Sequence, residues 1–493
     1  VHIGFSGHGM SGAIEGPDGK IYWGIGDIGA NLTDKAGKNH FYPNQGVLVR
    51  SNPDGSDFEV FASGLRNTHE FAFDEYGNII GQDNDGDHEG ESERLVHIVE
   101  GSDAGWRSNW QYGKYTDPKN NGYNVWMDEV MFKPRWEGQA AYMLPPITNY
   151  HNGPTGFTYN PGTGLGKKWK NHFFVSEFVG NPSRSHIWGF TLKRKGFSFE
   201  LGSEIKVMGG LLPTGIRFGP DGALYFADWI NGWGTKNYGR VWRLDVTEDE
   251  NDLQAERLET KVLMEMDYQK ADASKLFELL NYADMRIRQK AQFALVEKGD
   301  SENLAKAISQ QEHQLMRIHG IWGIGQMMAQ GSDFGPVLMS YLSDEDAEIR
   351  AQAAKVLGDV KYAAAGPQFI SLLQNEHPRV QFYSAQALGR IKDQTAVSGL
   401  LQMLLENKDQ DVYLRHVAVL ALSRIGVEQP ILDLVDSPNK SLRLAAVLVM
   451  RRWSHPSLKY FLTDEDEYIA LEAARAINDD WSVEEALPDL ASL

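Results

Sequence analysis

The hydrophobic pattern of the chain changes once, near residue 247. Up to residue 246, short apolar runs alternate with polar positions and are broken by Asp-Gly, Asn-Gly and Pro-Asp-Gly turns, which is typical of β-strands. From Leu258 onwards, apolar residues recur at three- and four-residue spacing, which is typical of helices. The charged segment between them suits a linker or the start of a helix. The pattern predicts an all-β domain over 1–246, a linker over 247–257 and an all-α domain over 258–493.

The all-β half repeats a unit made of a turn, a strand and a partner strand. Irregular spacings of roughly 50–90 residues between copies suit radial blades with inserted loops of different length. Val1 enters directly into strand-like sequence, so we expect about four blades of a larger β-propeller whose N-terminal blades are missing. The turn-plus-strand segments are 16–23, 74–79, 169–178 and 219–226, and the partner strands are 46–50, 94–98, 186–190 and 239–244.

The all-α half also repeats, in phrases that join an apolar residue and often an Arg to small residues a few positions later. Spacings of about 27–34 residues give two short helices per unit, with small residues such as Gly358 and Gly389 where neighbouring helices approach closely. This pattern predicts a solenoid of HEAT type. We expect the repeated Arg to bind a helix end or a neighbouring loop. The phrases begin at Ile287, Met316, Ile349, Val380, Leu414, Leu442 and Ile469.

The charge and the residue content of the chain limit the kinds of partner and cofactor that it can bind. The net charge is -19, from 67 acidic and 48 basic residues, which argues against nucleic acid or an anionic membrane as the main partner and favours cations and neutral polyols. There is no Cys, so disulfides, thiolate metal sites and CxxCH haem attachment are excluded within this chain. No apolar run reaches the roughly 18 residues of a membrane span.

Three segments of the all-β half resemble one enzyme family. They are residues 8–27, with a His-x-x-Ser-Gly pattern and Gly-Pro-Asp-Gly-Lys-Ile-Tyr, residues 64–74, with Gly-Leu-Arg-Asn, and the acidic residues 82–93, followed by Gly101 and Gly105-Trp106. They are similar to the soluble glucose and sorbosone dehydrogenases, six-bladed propellers that use pyrroloquinoline quinone (PQQ). A propeller joined to HEAT repeats resembles multidomain, membrane-bound-dehydrogenase-like bacterial proteins that often carry a c-type cytochrome domain.

The resemblance implies an oxidoreductase acting on sugars or related alcohols. His8 would be the base, since an imidazole is well matched to taking a hydroxyl proton while hydride leaves carbon. Arg66 and Asn67 would stabilise the negative charge that develops on the quinone oxygen. Arg66, Asn67 and Arg184 would contact the cofactor. The family's cofactor-binding members have two Arg before the last turn, where this chain has Leu212 and Thr214.

The resemblance also implies calcium at the acidic loop, because a hard cation with oxygen ligands can hold and polarise the quinone. Independently of the resemblance, the clustered carboxylates of this loop favour a bound cation, because they repel one another. The loop does not fit the EF-hand spacing, and the histidines have no compact spacing for zinc or iron. The expected ligands are Asp83, Asn84, Asp85, Gly86, Asp87 and Glu93.

Three hypotheses follow. The first is a PQQ-dependent oxidoreductase with a sugar or polyol substrate, a c-type cytochrome domain or protein as electron acceptor, and a protein partner on the HEAT surface. The second is a non-catalytic propeller that binds a carbohydrate or a protein, with the HEAT repeats as interaction scaffold. The third is a lactonase-type hydrolase, which needs several carboxylates on the propeller axis. A periplasmic, cell-surface or secreted location is implied by the resemblance alone.

Overall fold

The structure is a computed structural model that describes residues 8–84, 89–108, 121–234, 236–479 and 483–493, without the side chains of 121–124. It has two compact units. The first consists of residues 1–136 and 145–326, and the second of residues 137–144 and 327–493.

The β-strands of the described residues form four successive sheets and one hairpin. Within each sheet, neighbouring strands are antiparallel and follow chain order, except that β10 adds in parallel at the edge of the first sheet. The orders are β1-β2-β5-β6-β10, β7-β8-β9-β11, β12-β13-β14-β15 and β16-β17-β18, with β3-β4 as the hairpin. The strands are β1 (Met10–Glu15), β2 (Ile21–Ile25), β3 (Ala30–Thr33), β4 (Asn39–Tyr42), β5 (Gly46–Ser51), β6 (Glu59–Leu65), β7 (Phe71–Phe73), β8 (Ile79–Asp83), β9 (Glu93–Ile98), β10 (Ser102–Asp103), β11 (Thr148–Tyr150), β12 (Pro154–Tyr159), β13 (Phe173–Glu177), β14 (His186–Lys195), β15 (Ser198–Gly209), β16 (Pro213–Phe218), β17 (Leu224–Asp228) and β18 (Arg240–Leu244).

The repeat predicted from the sequence is confirmed. Its four strands are β2, β8, β13 and β17, the second strand of each sheet, and its partner strands are the third strands. The two Gly-Pro-Asp-Gly turns have the same geometry. Their last glycines, Gly19 and Gly222, have φ of +78° and +74°, which only glycine adopts without strain. Antiparallel sheets that follow the chain and pack in succession have the architecture of propeller blades.

Each pair of successive sheets buries an apolar core between its facing sides. Leu48 and Phe71 belong to the core between the first two sheets, Ile80 and Phe157 to the next, and Phe174 with Leu224 to the last. Because these cores follow one another, the sheets are held in chain order.

All the α-helices of the described residues except α1 (Asn121–Asp128), which precedes β11, follow the last strand. The predicted linker, residues 247–257, contains a 3-10 turn at Glu248–Glu250 and the start of the first long helix, so secondary structure begins before residue 258. The domain bounds themselves stay a prediction. The α-helices are α1 (Asn121–Asp128), α2 (Gln254–Met264), α3 (Ala273–Leu279), α4 (Met285–Glu297), α5 (Ser301–Ile308), α6 (Gln314–Ala329), α7 (Gly335–Ser340), α8 (Ala347–Asp359), α9 (Gly366–Leu372), α10 (Pro378–Ile391), α11 (Val397–Asn407), α12 (Val412–Ile425), α13 (Gln429–Leu432), α14 (Lys440–Trp453), α15 (Glu467–Asn478) and α16 (Leu487–Leu490).

The repeated phrases all lie in the first turns of helices, and their arginines are structural, as predicted. Arg288, Arg350 and Arg443 each donate to a backbone carbonyl six residues earlier, at 2.7, 2.7 and 2.8 Å. The guanidinium therefore provides a hydrogen-bond donor for a backbone carbonyl group in the loop that leads into its own helix.

Small residues mark the close helix contacts, also as predicted. A Cβ on Gly358 would lie 2.7 Å from the Cβ of Ala387, and one on Gly389 would lie 2.7 Å from the Cα of Ala421. Neighbouring helices of the repeat can approach this closely only because these positions carry no side chain.

Candidate functional site

One end of the sheets carries most of the residues singled out by the sequence. At this end the first strand of each sheet begins and the second strand ends. Each second strand finishes at, or two residues before, an acidic residue that accepts hydrogen bonds nearby. These residues are Asp27, Asp83, Glu177 and Asp228.

His8 is buried and forms a short hydrogen bond with Asp27, 2.6 Å from Nδ1 to Oδ1. Since an ionised carboxylate can only accept, Nδ1 carries the proton and Nε2 has the free electron pair. Burial lowers the pKa of His8 below its usual value, and the hydrogen bond with Asp27 opposes that effect. The imidazole is therefore neutral at pH 7 and able to accept a proton at Nε2.

Arg66 and Asn67 lie beside His8. A Cβ on Gly26 would meet the carbonyl oxygen of His8 at 2.6 Å and Oδ1 of Asn67 at 2.8 Å, so His8 and Asn67 flank that glycine. The Arg66 charge acts on His8 and further lowers its pKa. The Arg66 guanidinium donates to the backbone oxygen and to Oδ1 of Asn84, at 2.5 and 2.6 Å.

Asp83 is the residue that holds the Arg66–Asn67 segment in place. Its carboxylate is inaccessible to solvent. It accepts from the backbone nitrogens of Arg66 and Asn67, each at 2.8 Å, from Thr68 Oγ1 at 2.9 Å and from Arg94 Nη2 at 2.6 Å. A carboxylate with four such donors is fully satisfied by the protein.

The predicted calcium ligands do not all lie on one side of their sheet. Asp83 pairs with Arg94 in the β8–β9 register, so Glu93, one residue earlier, points to the opposite face. There it accepts from the backbone nitrogen of Gly153 at 2.9 Å. Asp85, Gly86 and Asp87 lie outside the described residues. Within the described ranges, no three His, Asp or Glu side chains are grouped so as to hold a metal ion.

Arg184 lies in the 3-10 turn Pro182–Arg184, between β13 and β14, and is exposed. The two positions where the family has arginines contribute no charge. Leu212 is buried, with its backbone nitrogen donating to Asp228 at 3.1 Å, and Thr214 is half-buried.

Sequence reasoning gave no role to Asp27 or His69. Nε2 of His69 accepts a hydrogen bond from Asn67 Nδ2 at 2.9 Å, and burial, with the charges of His8 and Arg66, lowers the pKa of His69 to about 4. It is a neutral second imidazole beside the first. The sequence could have pointed to Asp27, since an acidic residue lies at the end of the second strand of every sheet or two residues after it. No pattern in the sequence marks His69, because only the fold brings it close to His8.

Comparisons with known proteins cover both halves of the chain. Residues 4–239 match a domain of unknown function, DUF7133, and residues 335–423 match HEAT repeats. No curated protein matches the chain. Among solved structures, a glucose dehydrogenase is 16% identical over 48% of this chain and 63% of its own, with a TM-score of 0.33.

Two further solved structures give a similar result. The PQQ-bound aldose sugar dehydrogenase from Streptomyces coelicolor is 16% identical over 48% of this chain and 62% of its own, with a TM-score of 0.32. The CpcE–CpcF complex of phycocyanin lyase from Nostoc is 16% identical over 45% of this chain and 95% of its own, with a TM-score of 0.27. The chain thus spans less than two thirds of the length of these dehydrogenases. Of the helices in the described ranges, none is long and apolar enough to cross a membrane.

Four successive meander sheets make up the first half of the described chain, and the helical repeats agree with the HEAT match over residues 335–423. The chain joins a partial β-propeller to HEAT repeats.

Proposed function

We propose that the end of the propeller around His8 is the proton-accepting site of an oxidoreductase that acts on sugars or related alcohols. The observation that carries the proposal is the buried His8–Asp27 pair, 2.6 Å apart, with Arg66 and Asn67 beside it. Asp27 keeps the proton on Nδ1 and aims the free electron pair of Nε2 away from itself. His8 then takes the hydroxyl proton of the substrate as a general base.

The oxidant predicted from the sequence is PQQ, and the described residues match it only in part. Arg66 and Asn67 provide a guanidinium and an amide near the base, which suits negative charge developing on an oxygen. The three carboxylates of the quinone require further cations, whereas Leu212 and Thr214 are neutral and Arg184 is exposed in a separate turn. The proposal is therefore confined to the proton step, and PQQ and calcium stay predictions.

The test is a titration of the calcium-loaded full chain with PQQ, followed by addition of an aldose or polyol. We expect a change in quinone absorbance on binding and its reduction on addition of the substrate. His8→Ala should abolish reduction without abolishing the first change, and Asp27→Asn should lower the rate at least tenfold, because a neutral amide no longer fixes the tautomer of His8 or stabilises the imidazolium that forms. A His8→Ala protein that reduces the quinone at the parent rate would eliminate His8 as the base.

A second function, a non-catalytic propeller that binds a carbohydrate or a protein, is favoured by the absence of further cations at Leu212 and Thr214. It predicts sugar binding, measured by calorimetry, with no absorbance change at any PQQ concentration. HEAT repeats suit protein interaction, so in both cases the partner or electron acceptor would dock on that part. A cytochrome acceptor and a periplasmic or cell-surface location stay proposals drawn from the resemblance.

A further inference from the structure

A cavity of about 380 Å³ lies at the other end of the first strands, away from His8. The first strand of each of the four sheets contributes to its wall, through Ile14 of β1, Ala72 of β7, Phe157 of β12 and Phe218 of β16. Helices α4 and α6 close it. All these residues belong to the first compact unit.

The position of α4 over the cavity is fixed by hydrogen bonds to the turns of all four sheets. Each bond joins the first half of the helix to a turn after a first strand. The bonds are Gln289 Nε2 to the oxygen of Gly16 at 3.3 Å, Arg288 Nη2 to Glu75 at 2.8 Å, the nitrogen of Met285 to the oxygen of Pro161 at 2.7 Å and Arg286 Nη1 to the oxygen of Gly219 at 3.0 Å.

Most of the surface that lines the cavity is apolar. Phe71, Phe73, Phe157, Phe293 and Trp322 contribute aromatic rings. A volume in the usual range for small-molecule sites, with aromatic walls and few polar groups, favours a compact ligand with a planar apolar body.

The arginines of the wall are paired with carboxylates, and the charge of Lys290 acts on Glu15, which also lines the cavity. Arg217 donates to Glu70 at 2.7 Å, and Arg286 to Asp284 at 2.8 Å. Lys290 lies 5.6 Å from the ring centre of Tyr268. A charged ligand would have to give up its hydration and compete with these partners, so a neutral ligand fits better.

His319 supplies one polar atom with an unused acceptor site. Gln292 donates through Nε2 to the carbonyl oxygen of Pro17 at 2.9 Å, which fixes its amide orientation, since a carbonyl can only accept. The amide oxygen of Gln292 therefore faces His319 Nδ1, 2.7 Å away, and Nδ1 carries the proton.

The other ring nitrogen of His319 is consequently an acceptor. The side chain lines the cavity and is only 3% exposed. Burial, with the charge of Arg288, lowers the pKa of His319 well below its usual value, so the ring stays neutral. Within the ranges that the structure describes, Nε2 has no hydrogen-bond partner.

We propose that this cavity binds a small, neutral aromatic alcohol, with the rings of the wall around its body and its hydroxyl donating to Nε2 of His319. The site is independent of the function proposed for His8. It lies at the opposite strand ends and shares no residue with that site.

The test uses 2-naphthol and its apolar analogue naphthalene, titrated into the full-length protein by calorimetry. We expect naphthol to bind about five- to tenfold more tightly, because only its hydroxyl satisfies the buried acceptor. His319→Leu should bind both compounds about equally. His313→Leu, the same change at an exposed histidine, should keep the preference.

Two results would overturn the proposal. One is that neither compound binds the parent protein up to its solubility limit, and the other is that His319→Leu keeps the preference for naphthol. If His319→Leu does not fold, the Phe293→Trp variant tests the site instead, because its larger ring fills the cavity and leaves His319 unchanged. It should weaken both compounds at least tenfold, and unchanged affinities would contradict the site.

Discussion

At the scale of single residues, Asp83 and Asp228, the acids that end the second strands of two sheets, hold loops of the His8 end in place. Asp83 is the clearest case, because it binds two backbone nitrogens of the segment that carries Arg66 and Asn67. Asp228 does the same for Leu212, at 3.1 Å. In these two sheets, the acid at the end of the second strand therefore fixes the segment that leads into the first strand.

Replacing Asp83 by Asn tests this structural role against a role as calcium ligand. We expect the free energy of unfolding to fall by about 3–5 kcal/mol, because the buried guanidinium of Arg94 loses its carboxylate. Chemical denaturation with and without a calcium chelator measures it. Asp54→Asn, in an exposed pair with Lys35, should change it by less than about 0.5 kcal/mol. A loss seen only when calcium is present would assign Asp83 to the metal instead.

His69 should make stability depend on pH. Its pKa is about 4 in the folded protein and 6.5 without the fold, so between these values the unfolded chain binds a proton that the folded one does not. Stability attributable to His69 is present above pH 6.5 and lost as the pH falls to about 4, by up to about 3 kcal/mol. Over this pH range, the unfolding free energy of His69→Gln should fall by a correspondingly smaller amount than that of the parent protein. His313→Gln, exposed to solvent, should follow the parent, and identical pH profiles for parent and His69→Gln would refute the burial effect.

At the scale of elements, helix α4 combines two roles. Its Arg288 binds the preceding loop, as the repeated arginines of the later helices do. Arg288 and its neighbours Arg286 and Gln289 also bind the turns of the sheets. The sequence of the helix thus has the HEAT pattern, while its hydrogen bonds join it to the sheets of the first compact unit.

The repeat helices should not tolerate a methyl group at their closest contacts. We expect Gly389→Ala to lower the unfolding free energy of the second unit by about 1–3 kcal/mol, because its Cβ would lie 2.7 Å from the Cα of Ala421, a backbone atom that cannot yield. Gly399→Ala is the control. Its Cβ would meet a side-chain end of Leu373 at 3.1 Å, and the gain in helix propensity of up to about 1 kcal/mol offsets the contact. Equal thermal shifts for the two variants would contradict the close packing.

At the scale of the whole molecule, the boundary of the compact units and the change of secondary structure do not coincide. Strands end at Leu244, yet the first unit extends to Gln326. The reason is the set of hydrogen bonds and apolar contacts that α4 and α6 make with the first strands. A net charge of -19 over the whole chain favours solubility and does not influence this division.

Two fragments test where the first folding unit ends. A fragment of residues 1–326 should unfold cooperatively on heating, because it keeps α4 over the turns of all four sheets. A fragment of residues 1–246 should lose that transition or aggregate, since the aromatic wall of the cavity would face water. Calorimetry of both fragments distinguishes the cases. Equal transitions would instead support the division at residue 246 that the hydrophobic pattern predicts.

The sequence by itself determined the elements and their order. Turn glycines such as Gly19 and Gly222 and the helical period after Leu258 are local signals, so strands, blades and HEAT helices follow from neighbouring residues. The nearness of His8 to Arg66 and Asn67 also followed from the sequence, but only through the resemblance.

Only the tertiary structure decided what each side chain does. Asp83 accepts from residues 66–68, Glu93 faces the opposite side of the sheet, and His319 borders a cavity against strands far away in the chain. These pairings depend on contacts between distant segments, which no local periodicity encodes, because strand alternation and the packing of α4 set them only once the chain has folded.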